Sequence, residues 1–212
     1  MKVFNSIIRT GMGFVLVAAV RIANGQPSPS PSDSLLSPAD IRVKGMLGKA
    51  IDLSEHGRLR SLPEWNNGEL ITLFSTAARN KNNTTDWYGE HAGKWLYSAA
   101  LAATRTGNDT LKQLLFRTAD YLVRNQEADG YLGSYSPDLR FTNKNSKQHK
   151  KSWDVWSQSY MIRGILEVNR YYPNENYLKA AKKIGELLLA TFGDGLADVT
   201  NYGTRYGYSA TV

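Results

Sequence analysis

The 212-residue sequence contains no cysteine. That absence excludes disulfides, thiolate metal ligands and a cysteine nucleophile within this chain. No His/Asp/Glu cluster falls at metal-ligand spacing, and there is neither a glycine-rich phosphate loop nor a nucleophile elbow. Short alternating polar and apolar runs, the mark of half-buried strands, are also missing. The longest apolar run at the start, Gly13–Val20, is too brief to span a bilayer. Lys and Arg outnumber Asp and Glu by 26 to 19. The one basic cluster, Lys144–Lys151 (KNSKQHKK), has no interleaved aromatics, so it reads as a solvated loop and not as a nucleic-acid site.

Residues 1–25 have the parts of an export signal. Lys2 and Arg9 form a basic start, Gly13–Val20 (GFVLVAAV) an apolar centre, and Ala23-Asn24-Gly25 a small-residue cleavage site. The mature protein is therefore expected to be secreted or periplasmic, with no membrane segment. Losing Lys2, Arg9 and Arg21 lowers the formal charge from +7 to +4. Residues 26–38 (QPSPSPSDSLLSP) form a Pro/Ser-rich linker. The fold is expected over residues 39–212.

What the sequence does have is an internal repeat. Residues 87–130 and 153–195 share an aromatic-acidic start, a helix, a short polar turn, a second helix and a glycine stop. Matching positions lie about 66 residues apart. Each unit is an α-hairpin, which cannot cover its own apolar face and must stack on its neighbours. Helices are expected over Ala39–Leu62, with Pro63 as the stop, and over Gly68–Ala78, followed by a polar loop, Arg79–Asp86. That loop and the Asn108 turn hold glycosylation sequons at Asn82, Asn83 and Asn108. Glu90–Arg105 and Thr110–Gln126 form the first clear hairpin, joined at Gly107-Asn108. In the second hairpin Met161, Ile165, Val168 and Tyr172 are the expected apolar stripe. Leu178, Ala181, Leu188 and Phe192 line its partner helix. The fold class is all-α.

The connection inside each hairpin is short, whereas the segment between hairpins is long. Helices starting near Glu90 and Asp154 hold equivalent places in the repeat, so they should run parallel and gather the long loops at one rim. Rims of that kind are where sites are built. Trp87, Tyr88, Tyr131, Tyr135, Trp153, Tyr202, Tyr206 and Tyr208 lie in or beside these loops. Their rings suit sugar faces, though any single one could simply pack a loop onto a helix. Glu90, His91, Asp129 and Asp154 share the rim, and paired carboxylates are the usual apparatus of glycoside hydrolysis. Simpler roles stand beside that one. Glu90 and Asp154 complement helix dipoles, Asp129-Gly130 makes a post-helix turn, and His91 packs or hydrogen-bonds. The candidate ligand-contacting set is Glu90, His91, Asp129, Tyr131, Trp153, Asp154 and Trp156. A glycan-hydrolysing enzyme and a non-catalytic helical-repeat binding module both fit it.

Glu90-His91-Ala92-Gly93-Lys94-Trp95, Gln126-Glu127-Ala128-Asp129-Gly130-Tyr131-Leu132 and Trp153-Asp154-Val155-Trp156 resemble, in order and spacing, three signatures of the β-L-arabinofuranosidase-like glycoside hydrolases, family 127. The resemblance runs from Val43 to the C-terminus. It implies an α/α-toroid of about six stacked hairpins, followed by β-sandwich domains. It also implies secreted bacterial enzymes that release L-arabinose from plant-type oligo- or polysaccharides. Well-known members have Ser-His-Glu-x-Tyr where this chain reads Ser152-Trp153-Asp154-Val155-Trp156, which puts arabinose specificity in question. Their cysteine nucleophile, its zinc site and a glutamate acid/base would lie beyond Val212. No cofactor is therefore assigned to this chain, and the resemblance implies that zinc is possible in the larger protein. Gly203–Val212 (GTRYGYSATV) reads as the opening of another hairpin, so the chain is expected to be one portion of a longer enzyme.

Overall fold

The computed structural model describes residues 36–82, 89–141 and 153–202. The expected leader, most of the linker, Asn83, Trp87, Tyr88, the basic cluster, Tyr206, Tyr208 and residues 203–212 lie outside the described residues. Eight α-helices and several 3-10 turns make up the fold, with no strand among the described residues. They are α1 (Gly45–His56), α2 (Arg58–Ser61), α3 (Trp65–Thr72), α4 (Thr76–Lys81), α5 (Glu90–Thr106), α6 (Asp109–Arg124), α7 (Asp154–Tyr171) and α8 (Glu175–Phe192). None of these helices is long and apolar enough to cross a membrane.

The two hairpins follow the residues that punctuate them. Gly107 closes α5 at φ 66, and the Asn108 side chain accepts the Leu111 N–H at 3.1 Å to open α6. Asn174 opens α8 in the same manner, accepting the Asn176 N–H at 2.9 Å. α6 buries Leu111, Leu114, Leu115, Thr118 and Leu122, the spacing of one apolar face.

Elsewhere the segmentation is finer than expected. The region 39–62 is not one helix: α1 ends where Gly57 turns at φ −99 and ψ −95. Pro63 does not stop a helix but sits in a 3-10 turn, Leu62–Glu64. The expected helix 68–78 divides in two, because Ser75 leaves helical geometry and its hydroxyl caps the Ala78 N–H at 3.2 Å. Before it, Asn66, Asn67 and Gly68 all have positive φ, a conformation Asn and Gly tolerate. Arg79, read as loop, lies in α4 and is wholly buried. In α8 the buried stripe is shifted: Tyr177 and Ile184 join Ala181 and Leu188 inside, while Leu178 is 46% exposed.

α5 and α7 are the inner pair, and they run parallel. Gly89 sits beside Ser157, Gly93 beside Tyr160, and the Thr104 hydroxyl donates to Tyr172 Oη at 3.3 Å, so partners keep an offset of 67–68 residues. Backbones touch where they pack: a Cβ on Gly93 would lie 2.2 Å from Tyr160 O, and one on Gly164 2.4 Å from Gly93 O. α6 and α8 cover this pair with their apolar faces. α1 is tied to the far end of α5 by Glu55, which pairs with Arg105 (3.1 Å) and accepts the Thr106 hydroxyl (2.9 Å). Both inner helices thus begin at the same rim.

Candidate functional site

The segment after α6 is a turn pinned from several directions. Gln126 Nε2–H donates to Gly130 O (3.0 Å) and to Ala180 O of α8 (2.9 Å). The Asp129 carboxylate accepts the Tyr131 N–H at 2.9 Å, an Asx turn. Gly130 takes φ 97, and a Cβ there would lie 2.3 Å from Lys183 O. Only glycine meets both conditions.

That turn carries Tyr131 inward, where its ring is fully buried. Its hydroxyl donates to Asp154 Oδ1 at 2.7 Å and accepts the Tyr135 N–H at 3.2 Å. The Phe141 N–H donates to Asp154 Oδ2 at 3.0 Å. Phe141 is held at φ 45, a left-handed conformation costing a bulky residue about 1–2 kcal/mol. The bond to Asp154 opposes that cost. Burial, followed by the Asp154 charge, pushes the Tyr131 phenol well above its ordinary range, so it stays a donor.

A charged clamp holds the same loop. The Arg140 guanidinium lies over the Tyr131 ring, 3.7 Å from its centre, and binds both oxygens of Glu127 at 2.7 Å. Arg79 Nε lies 2.9 Å from the same carboxylate. The remaining Arg79 N–H groups donate to Phe74 O, Gly133 O, Asn125 O and the Thr76 hydroxyl. The Arg140 hydrogen bonds hold the Glu127 carboxyl below its usual range, and the charges of Arg140 and Arg79 add to that.

A second set of side chains stands at the starts of α5 and α7. Trp153, Trp156 and Tyr160 form an edge-to-face ladder, with ring centres 6.4 and 5.0 Å apart. Lys94 Nζ lies 4.5 Å from the Tyr160 ring centre, 5.6 Å from that of Trp156 and 3.7 Å from Glu90 Oε1. Among the described residues, the buried Glu90 Oε2 has no hydrogen-bond partner, and neither has the buried Trp156 Nε1–H. Buried polar atoms are nearly always paired, so two orphans beside one ammonium mark a place where a polar ligand would be favoured. A groove of about 270 Å³ continues from here between α5 and α7. A larger one, about 590 Å³, lies between α6 and α8, away from these side chains.

The seven residues singled out from sequence therefore fall into separate groups. Glu90 and Trp156 gather around Lys94, and Trp153 meets Trp156 edge-on. Tyr131 and Asp154 form the buried pair that fastens the loop. Asp129 is half exposed and caps its own turn. His91 turns toward α3, where its Nε2–H donates to Leu70 O at 2.8 Å and its ring meets Phe74 edge-on. Asp154, solvent-sealed with both oxygens hydrogen-bonded, does not pair with Glu90 as an acid/base couple. Sequence reasoning missed Lys94 and Tyr160, although each lies four residues after a named candidate and so on the same helix face. It also missed the Arg79–Glu127–Arg140 clamp, for which no local pattern exists. With no cysteine in the chain, and no converging group of three metal-ligating side chains among the described residues, these residues do not fit a cysteine-held zinc.

The family model described as β-L-arabinofuranosidase, GH127 catalytic domain, matches residues 54–208. A non-reducing end β-L-arabinofuranosidase of Bifidobacterium longum subsp. longum is 31% identical over 108 residues, covering 47% of this chain and 16% of that protein. A solved GH127 β-L-arabinofuranosidase from Geobacillus stearothermophilus T6 superposes with a TM-score of 0.58 at 19% identity, over 74% of this chain and 26% of the other. A second solved GH127 β-arabinofuranosidase gives 0.60 at 14% identity, over 80% and 28%. At those identities the two structures show the shared fold, a partial α/α-toroid. The chain spans about a sixth of the curated relative's length and about a quarter of each solved one. With the hairpin repeat, the parallel inner helices and the match over most of the described residues in agreement, the chain belongs to the GH127 β-L-arabinofuranosidase catalytic-domain family.

Proposed function

We propose that this chain supplies part of the sugar-binding wall of an exported glycoside hydrolase that removes L-arabinofuranosyl or related residues from glycans. The observation that carries the reading is the Trp153–Trp156–Tyr160 ladder flanked by Lys94 and the unpartnered Glu90 oxygen. Aromatic faces suit the C–H face of a sugar ring, and an orphan acceptor and donor suit its hydroxyls. Family membership and the similar proteins' names support the substrate class. The leader-like residues 1–25 support export.

The role assigned to these residues is contact and positioning. The two-carboxylate route of glycoside hydrolysis places reachable carboxyl groups about 5–9.5 Å apart across the bond. Asp154 is sealed from solvent, so it and Glu90 do not form that pair. Tyr131, Asp154 and the Glu127 clamp act on the sugar only through the loop they fix.

The test is Trp156→Ala in the complete gene product, assayed on nitrophenyl L-arabinofuranosides. KM should rise roughly tenfold, worth about 1.4 kcal/mol, with the melting temperature nearly unchanged. A large fall in melting temperature with unchanged KM would make Trp156 a packing residue and remove the ladder from the site. Absence of turnover on any furanoside would remove the hydrolase reading itself.

A further inference from the structure

The groove between α5 and α7 has features that a neutral pentose does not explain. Gly93, Lys94, Tyr97 and Ser98 line one side, and Tyr160 and Arg163 the other. Its floor is low because the helices meet backbone to backbone at Gly93 and Gly164. About 270 Å³ is somewhat less than the roughly 300 Å³ typical of the smallest drug-sized pockets. That is room for a single sugar ring. Two cations face it, one from each helix. Lys94 is anchored at the rim by Glu90 and the two aromatic rings. Arg163 lies about one turn beyond Tyr160 on α7, is exposed, and makes no ion pair among the described residues.

A neutral sugar would make no use of either charge, and the exposed Arg163 fork would keep its water. A carboxylate matches it in two parallel hydrogen bonds, and Lys94 supplies a point charge on the opposite wall. Tyr97 and Tyr160 contribute aromatic surface to the lining, one from each helix. Resting on the sugar-binding reading above, we infer that this groove accepts a sugar bearing a carboxylate, a uronic acid residue, with the acid group toward Arg163 and the ring beside Tyr160.

Calorimetric titration of the complete gene product at low salt tests this, with D-galacturonate, D-galactose and acetate as separate ligands. Galacturonate should bind about tenfold more tightly than galactose, the scale of one hydrogen bond to a charged partner. The preference should shrink as salt screens it. Arg163→Gln should bring galacturonate down to the level of galactose, and Arg163→Lys should restore only part. Equal affinity for the two sugars would overturn the carboxylate assignment and leave the sugar-binding reading standing. Acetate binding as tightly as galacturonate would reduce the groove to an anion hole and also overturn it. Failure of both sugars to bind, in wild type, would overturn the groove assignment, while the furanoside assay of Trp156→Ala decides the sugar-binding reading separately.

Discussion

Single glycines set how closely the inner helices approach. At Gly93 a methyl group would enter the space of Tyr160 O, Tyr160 C and Met161 N, all backbone atoms that cannot rotate away. Gly93→Ala is therefore expected to destabilise the fold by about 1–3 kcal/mol, the usual cost of overpacking. Gly185 is the internal control. It lies within α8 with nothing inside 4 Å of its would-be Cβ. Gly185→Ala should be neutral or stabilising by up to about 1 kcal/mol through helix propensity. Thermal melts of the two variants decide the matter, and equal melting temperatures would show that α5 and α7 are not in backbone contact. At this scale the sequence was legible where chemistry is local. Asn108 as cap, Gly107 as stop and Asp129-Gly130 as turn are all visible in neighbouring residues. Gly93 and Arg79 were not, because their meaning comes from Tyr160 and Glu127, 67 and 48 positions away.

Among the elements, the loop 125–141 is the piece whose placement decides the rim. It is held by charge at Glu127 and by the Tyr131 phenol, a donor that does not itself titrate in mild acid. The Glu127 carboxyl titrates below its ordinary value of 4.5 when folded. Its contribution is complete above that value and is lost as pH falls through the lower folded one. Unfolding measured by circular dichroism should accordingly show stability declining as pH drops below about 4.5. Glu127→Gln should flatten that decline. It should also lower stability at neutral pH by up to about 3–5 kcal/mol, since Arg79 is left buried beside Arg140 with no counter-charge. The partial exposure of Glu127 puts the expected loss toward the lower end. An unaltered acid limb in Glu127→Gln would exclude the clamp as its source. The long amphipathic helices were legible from periodicity, and α7 buries Met161, Ile165 and Val168 of its expected stripe. The short pieces before them were not: 39–62 and 68–78 have enough helix formers to read as two continuous rods, which the Gly57 bend and the Ser75 hydroxyl cap divide.

For the whole molecule, the repeat was the most informative property, since equivalence of the two hairpins already implies parallel inner helices and a shared rim. What repetition does not reveal is which outer faces stay uncovered. α1 buries only Gly48 and Glu55, while Met46, Leu47 and Leu53 are 68–83% exposed. An apolar groove of about 420 Å³ runs beside it, with Ile41, Val43, Ile51, Leu59 and Leu101 in its walls. Leu178, Leu189 and Leu196 add exposed apolar area on the α8 side. Scattered surface leucines are ordinary, but several on one helix next to an apolar groove favour association. The 212-residue polypeptide by itself should therefore self-associate with rising concentration and bind an apolar dye. Met46→Lys with Leu47→Glu and Leu53→Lys should suppress both effects while changing stability by no more than about 0.5 kcal/mol, because these side chains touch little. Light scattering coupled to gel filtration gives the answer. A monomer at every concentration would mean that the α1 face is not adhesive. Association that persists in the triple variant would move the adhesive surface to the α8 side.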